Sequence, residues 1–181
     1  MKHQPLCVVL FTAFSAVFSC GLTTTSAHQN PCLLVVASTT QNDDSAVIDS
    51  YILRQAQRER GEEYRAARQV TTGDLTHDGK PETVVLYTIE SQRGTNLSIQ
   101  YLAVFSRRNG KLSALARIEV GGKSVRLVEL TPVEANSILL NTLTYGPKDP
   151  QCCPSIKGAT KYVLSGRTLR EQKDRQNDKR Q

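Results

Sequence analysis

Apolar and polar positions change period along this chain, and each change marks an element. Leu6–Phe18 is almost unbroken apolar sequence behind a weakly basic start that holds Lys2 and His3. A second apolar run, in "NPCLLVVAST" (Asn30–Thr39), is compatible with either a strand or a buried extension. Helical spacing follows: Val47, Ile48, Tyr51, Ile52 and Gln55 fall on one stripe, with Gln, Arg and Glu residues opposite. Asn42–Asp44 offers side-chain oxygens to the free N–H groups of a first turn, and Gly61 offers a stop. The spacing therefore predicts an amphipathic helix over Asp44–Arg60.

From Val70 onward the period is that of strands. "ETVVLYTI" (Glu82–Ile89) is rich in β-branched and aromatic residues. In "LSIQYLAVF" (Leu97–Phe105), Leu97, Ile99, Tyr101, Ala103 and Phe105 share one face. The pair Asn109-Gly110 and then Gly121–Gly122 are hairpin signals, flanking "LSALARIEV" and followed by "SVRLVEL". "SILLNTLTY" (Ser137–Tyr145) and "TKYVLSG" (Thr160–Gly166) complete the series. Such a chain predicts an α+β domain: an antiparallel meander of about four to six strands, its apolar face covered by the one N-terminal helix. The acidic stretch Gly73–Thr83 that leads into the first of these strands occurs once, which argues against a propeller built of repeated blades.

The two ends add organisation. A basic start followed by a short apolar run is the pattern of a secretory signal peptide, expected over residues 1–27. Two exits remain open. "VFSC" (Val17–Cys20) approximates a lipobox, with Cys20 as the residue to be acylated, while "TSA" (Thr25–Ala27) suits ordinary cleavage. Residues 28–43 then read as a tether and N-terminal extension, and residues 44–166 as the folded domain. Arg167–Gln181, "RTLREQKDRQNDKRQ", has no apolar face beyond Leu169 and is expected to be disordered. That tail holds about half of the net charge of +6. With no Trp and an exported address, the basic balance does not indicate nucleic-acid binding; any membrane contact would come through a lipid on Cys20.

Candidate chemistry is confined to two loops. In "GDLTHDGKPET" (Gly73–Thr83), Asp74, Thr76, Asp78 and Glu82 occupy alternating places, with Gly79 to turn the backbone and Lys80 to offer its carbonyl. Calcium takes oxygen ligands in this way, and three carboxylates suffice for a weak site with a dissociation constant of about 10⁻⁴–10⁻³ M. An EF-hand would want Glu where Val85 stands. The plainer reading is a turn in which Asp74 and Asp78 bond their own backbone. The stretch resembles the calcium loops of FG-GAP and VCBS-type repeats, where an Asp-rich loop runs straight into a hydrophobic strand. Thr76 and Glu82 depart from that pattern, which usually holds Asp or Asn and Asp.

"YGPKDPQCCPS" (Tyr145–Ser155) places Cys152 and Cys153 side by side in a stiff loop. Export implies oxidation, and Cys32, Cys152 and Cys153 are the cysteines left once Cys7 and Cys20 are set aside. The favoured bond joins Cys32 to one of the pair, closing a long loop worth about 3–5 kcal/mol. A bond between the two neighbours is the alternative. Together the two stretches resemble a group of exported bacterial proteins, many of them lipoproteins, with a "GDLDGDG" loop before a valine-rich strand and a "GPxDPxCCP" loop. That resemblance implies the same fold and an envelope address, and no activity. The expected function is a non-catalytic binding or structural module of the periplasm or cell envelope, stabilised by calcium, with an envelope protein or polysaccharide as partner. The alternative is a small periplasmic enzyme holding a metal on Asp74, Asp78 and Glu82.

Overall fold

The computed structural model describes residues 36–91, 97–134 and 136–172. Helix α1 (Val36–Glu59) leads into strands β1 (Gly61–Glu63), β2 (Gln69–Gly73), β3 (Glu82–Ser91), β4 (Ser98–Arg108) and β5 (Lys111–Gly122). The second half contributes β6 (Arg126–Leu130), β7 (Ser137–Thr144), β8 (Ile156–Ser165) and β9 (Thr168–Gln172). Every pairing is antiparallel, and from β3 to β9 sequence neighbours are sheet neighbours. β1 and β2 divide the free edge of β3 between them, β1 opposite Ile89–Ser91 and β2 opposite Glu82–Leu86. The meander with one helix is as expected. The count is not: the described residues form nine strands rather than four to six.

The extra strands are those whose own residues carry little apolar pattern. β1 is "GEE", β2 is "QVTTG" with Val70 exposed, and β9 buries Leu169 alone. Each forms because a stronger neighbour offers unpaired backbone groups.

A second correction concerns what covers the sheet. Alternation along β3 and β4 sends Val85, Tyr87, Ile89, Tyr101, Ala103 and Phe105 toward Ile48, Ile52 and Ala56 of α1. The opposite faces of those strands are buried too: Val84, Leu86, Leu102 and Val104 share a cluster with Val128, Ile138, Leu140, Tyr162 and Leu169 from β6–β9. The sheet therefore folds over on itself, and β3–β4 lie between the helix on one side and β6–β9 on the other. Burial on both faces is the physical reason for the continuous run "VVLY".

The fold-over happens at Gly121–Gly122. β5 and β6 share a single register pair, Gly122 with Arg126. In place of a longer ladder, the Gln100 side chain accepts from the Val128 N–H (2.9 Å) and donates to its carbonyl (3.0 Å). Bulges in the β4–β5 pairing between Gln100 and Tyr101 and between Val104 and Phe105 bend β5 toward this corner. At the other end, Asn109 (φ 50°) and Gly110 (φ 77°) form the hairpin that their sequence predicts.

Three boundaries differ from expectation. α1 begins at Val36, inside the supposed tether, and Asp44 bonds Arg107 of β4 instead of capping a first turn. At the helix end the left-handed residue is Arg60 (φ 56°), not Gly61. Gly61 is needed for close approach, since a Cβ there would lie 2.5 Å from the Glu90 carbonyl oxygen. The charged tail is not disordered from Arg167: Thr168–Gln172 is β9, while residues 173–181 lie outside the described residues. The signal segment, Cys20 and Cys32 lie outside them as well.

β9 is held by charge as well as by its ladder. Arg126 donates to both Glu171 oxygens (3.0 and 3.1 Å), joined by the hydroxyls of Thr160 (2.5 Å) and Tyr162 (3.1 Å). The Arg126 guanidinium, above all, holds the Glu171 carboxyl at about 2, and burial pushes the Tyr162 hydroxyl up to about 12. A carboxyl depressed on folding contributes stability above its unfolded pKa and loses it as pH falls through the folded one. Urea melts of the parent should lose stability between pH 4.5 and about 2 more steeply than those of Glu171→Gln. Identical slopes would show that the cluster has no energetic part in acid stability.

Candidate functional site

The acidic loop joins β2 to β3 and closes on its own carboxylates. Glu82, buried at the start of β3, accepts from the Leu75 N–H (2.9 Å) through one oxygen and from the Thr76 hydroxyl (3.2 Å) through the other. Asp74 accepts from the Gly79 N–H (3.0 Å) and Asp78 from the Lys80 N–H (2.9 Å). Gly79, at φ 77°, makes the tight return. These are the bonds of the turn reading. One observation goes beyond it: the second carboxylate oxygen of Asp74 is buried without a hydrogen-bond partner.

The loop is anchored from outside as well. Leu75 dips into the sheet–sheet core, and a Cβ on Gly73 would stand 2.5 Å from Val133 of the β6–β7 connection. The Asn136 amide nitrogen lies 2.6 Å from Nε2 of His77, and both residues have positive φ. Among the described residues no three His, Cys, Asp or Glu side chains are placed to share a metal ion. A cation bound here would have to draw Asp74, Asp78 and Glu82 together.

The cysteine loop joins β7 to β8 and lies at the opposite end of the sheet, so the two motifs do not form one site. Its bond is the adjacent one, Cys152 to Cys153, in place of the expected long-range bond from Cys32. A disulfide uses both sulfurs, so this pairing leaves neither for Cys32. Both cysteines are exposed. The residue that sequence reading passed over is Asp149. It accepts from the Gly146 N–H (2.8 Å), the Ser155 N–H (2.8 Å) and the Ser155 hydroxyl (2.9 Å). The Gly146 N–H foremost holds the Asp149 carboxyl below the usual carboxylate range. Tyr145 adds a bond to the Gln151 carbonyl (2.9 Å), and the Cys153 N–H donates to the Pro150 carbonyl (3.0 Å). An Asp between two loop prolines was the available signal, since Asp bonds nearby backbone in turns.

Between the two ends, the outer face of β6–β8 carries a groove of about 470 Å³ lined by Leu127, Glu129, Asn141, Leu143 and Lys157. Neither loop contributes to it. On the helix side, Arg117 lies 3.9 Å above the Tyr101 ring and reaches Gln55 (2.6 Å) and Glu59, while the Tyr101 hydroxyl donates to Glu59 (2.6 Å). Burial, foremost, raises the Tyr101 hydroxyl well above its ordinary value. This cluster fixes α1 to the sheet. No helix among the described residues is long and apolar enough to cross a membrane. No protein-family model, curated protein or solved structure matches the chain.

Proposed function

We propose that the chain is an exported cell-envelope protein and a non-catalytic interaction module, presenting its Gly146–Ser155 loop to an envelope protein or polysaccharide. The observation that carries this reading is the loop itself, which is exposed to solvent yet fixed internally by three hydrogen bonds to Asp149. A preset loop loses little conformational freedom when it meets a partner. The address is supported by the apolar Leu6–Phe18 segment behind a weakly basic start, and export would place the adjacent cysteine pair in an oxidising compartment. The same envelope address is implied by the resemblance to exported lipoproteins, with Cys20 as the lipid anchor.

A photo-crosslinking residue placed at Lys148 of the full chain in its own envelope tests the proposal. An adduct is expected there, lost with Asp149→Ala and not seen from Lys111 at the opposite end. Equal adducts from both positions, or a chain retained inside the cell, would overturn it.

Calcium enters the proposal as a stabiliser of the other end. A carboxylate oxygen that accepts one hydrogen bond keeps a second lone pair, so the turn does not use up the donors of Asp74, Asp78 and Glu82. The Thr76 hydroxyl and Lys80 carbonyl complete an all-oxygen set of the kind calcium prefers. Millimolar calcium should raise the unfolding free energy by about 0.5–2 kcal/mol over chelator. Asp74→Asn should abolish the difference. An unchanged Tm in both proteins would leave the loop as a turn only.

A further inference from the structure

We propose that the Cys152–Cys153 disulfide is a thiol–disulfide exchange site, which accepts two electrons from a dithiol carried by a peptide or small molecule. The proposal rests on the oxidising compartment of the preceding section, and on three features of the loop.

The first is access. Cys152 and Cys153 are both exposed, and Gln151 and Ser155 beside them are exposed too, so a thiolate can approach the sulfurs. Exposed disulfides are the ones that exchange.

The second is that the bond has little to contribute as a crosslink. A structural disulfide stabilises mainly by closing a loop in the unfolded chain, an effect that grows with loop length. With a sequence separation of 1, this one closes the shortest loop there is.

The third is that the loop's shape does not depend on the bond. Asp149 ties Gly146 to Ser155 across the cysteines, and Tyr145 holds Gln151. Reduction would leave that frame standing and both thiols displayed, as reversible exchange requires.

The step balances without a further reagent. A thiolate of the dithiol attacks one cysteine sulfur, forming a mixed disulfide as the Cys152–Cys153 bond breaks. The electron pair leaves on the other cysteine as a thiolate, which takes a proton from water. The second thiol of the dithiol then attacks the mixed disulfide and releases the remaining cysteine. The dithiol has lost two electrons and two protons, and the cysteine pair has gained them.

The test uses the purified mature chain and dithiothreitol as the dithiol, with alkylation and peptide mapping to read Cys152 and Cys153 separately from Cys32. The pair should be reduced in the native protein as readily as in urea. Tm of the reduced protein and of the Cys152→Ser/Cys153→Ser variant should match the oxidised parent. In Cys153→Ser, Cys152 should form a mixed disulfide with oxidised glutathione. Reduction only after unfolding, or a large fall in Tm on reduction, would make the bond structural and overturn the proposal. No envelope component is present in this experiment. Failure here therefore leaves the crosslinking result untouched; equal adducts from Lys148 and Lys111 would leave this result standing, while a chain retained inside the cell would remove the oxidising compartment on which it rests.

Discussion

Gly122→Ala is expected to destabilise the fold by about 2–5 kcal/mol, the combined scale of backbone strain and overpacking. Gly122 has φ 150°, where an L side chain is strained, and an added Cβ would strike the Ser98 carbonyl oxygen and crowd the Ile99 Cα (3.1 Å). Both are backbone atoms of β4 and cannot swing aside. The same residue provides the lone register pair between β5 and β6, so moving it opens the corner at which the sheet folds over. Gly110→Ala is the matched comparison: φ is 77°, but nothing lies within 4 Å of the added carbon. It should cost about 1 kcal/mol, the strain alone. Urea unfolding of the two variants decides the point, and equal losses would refute the role given to the corner.

The second large effect is expected at Ile52, which is 0% exposed between α1 and the β3–β4 face. Ile52→Ala removes buried carbon from a packed layer that includes Val85, Tyr87, Ala103 and Phe105, and should cost about 2–5 kcal/mol. Leu53, its neighbour on the helix, is 59% exposed, and Leu53→Ala should change stability by less than about 0.5 kcal/mol. The midpoint should move at a constant denaturant slope, because the same surface is exposed on unfolding. A small effect at Ile52 would mean that α1 docks through Arg117, Glu59 and Tyr101 rather than through its apolar stripe.

The helix stripe was legible because Ile48, Ile52 and Gln55 recur at helical spacing and are buried as that spacing implies. Ile99, Tyr101, Ala103 and Phe105 were legible for the analogous reason in a strand: they share one face and pack toward α1. The short strands were not. β1 has no apolar side chain and β9 has only Leu169, and what makes them strands is the neighbour they pair with. The start of α1 was misplaced because Asp43 and Asp44 look like caps locally, while Arg107, distant in sequence, claims the Asp44 carboxylate.

At the candidate sites the division is similar. Asp74, Asp78 and Gly79 could be read as a turn from their order alone, and the turn is what their hydrogen bonds make. That Glu82 is buried, and that Asp74 keeps one oxygen without a partner, depends on Leu75 entering the core and on Val133 closing over Gly73. For the cysteines, adjacency and stiffness were visible, but the pairing was not. Sequence distance favoured the longest loop for its entropy, and the structure has the shortest.

By itself, then, the sequence determined what is local: the helical stripe, the alternating strands, the Asn109-Gly110 turn and the two loops, since each depends on the chemistry of residues within a few positions. Only the tertiary structure decided the fold-over at Gly122, the second cover on β3 and β4, the strands borrowed from neighbours, and the separation of the two loops to opposite ends. Those depend on contacts between residues far apart in the chain, whose energies no local pattern records.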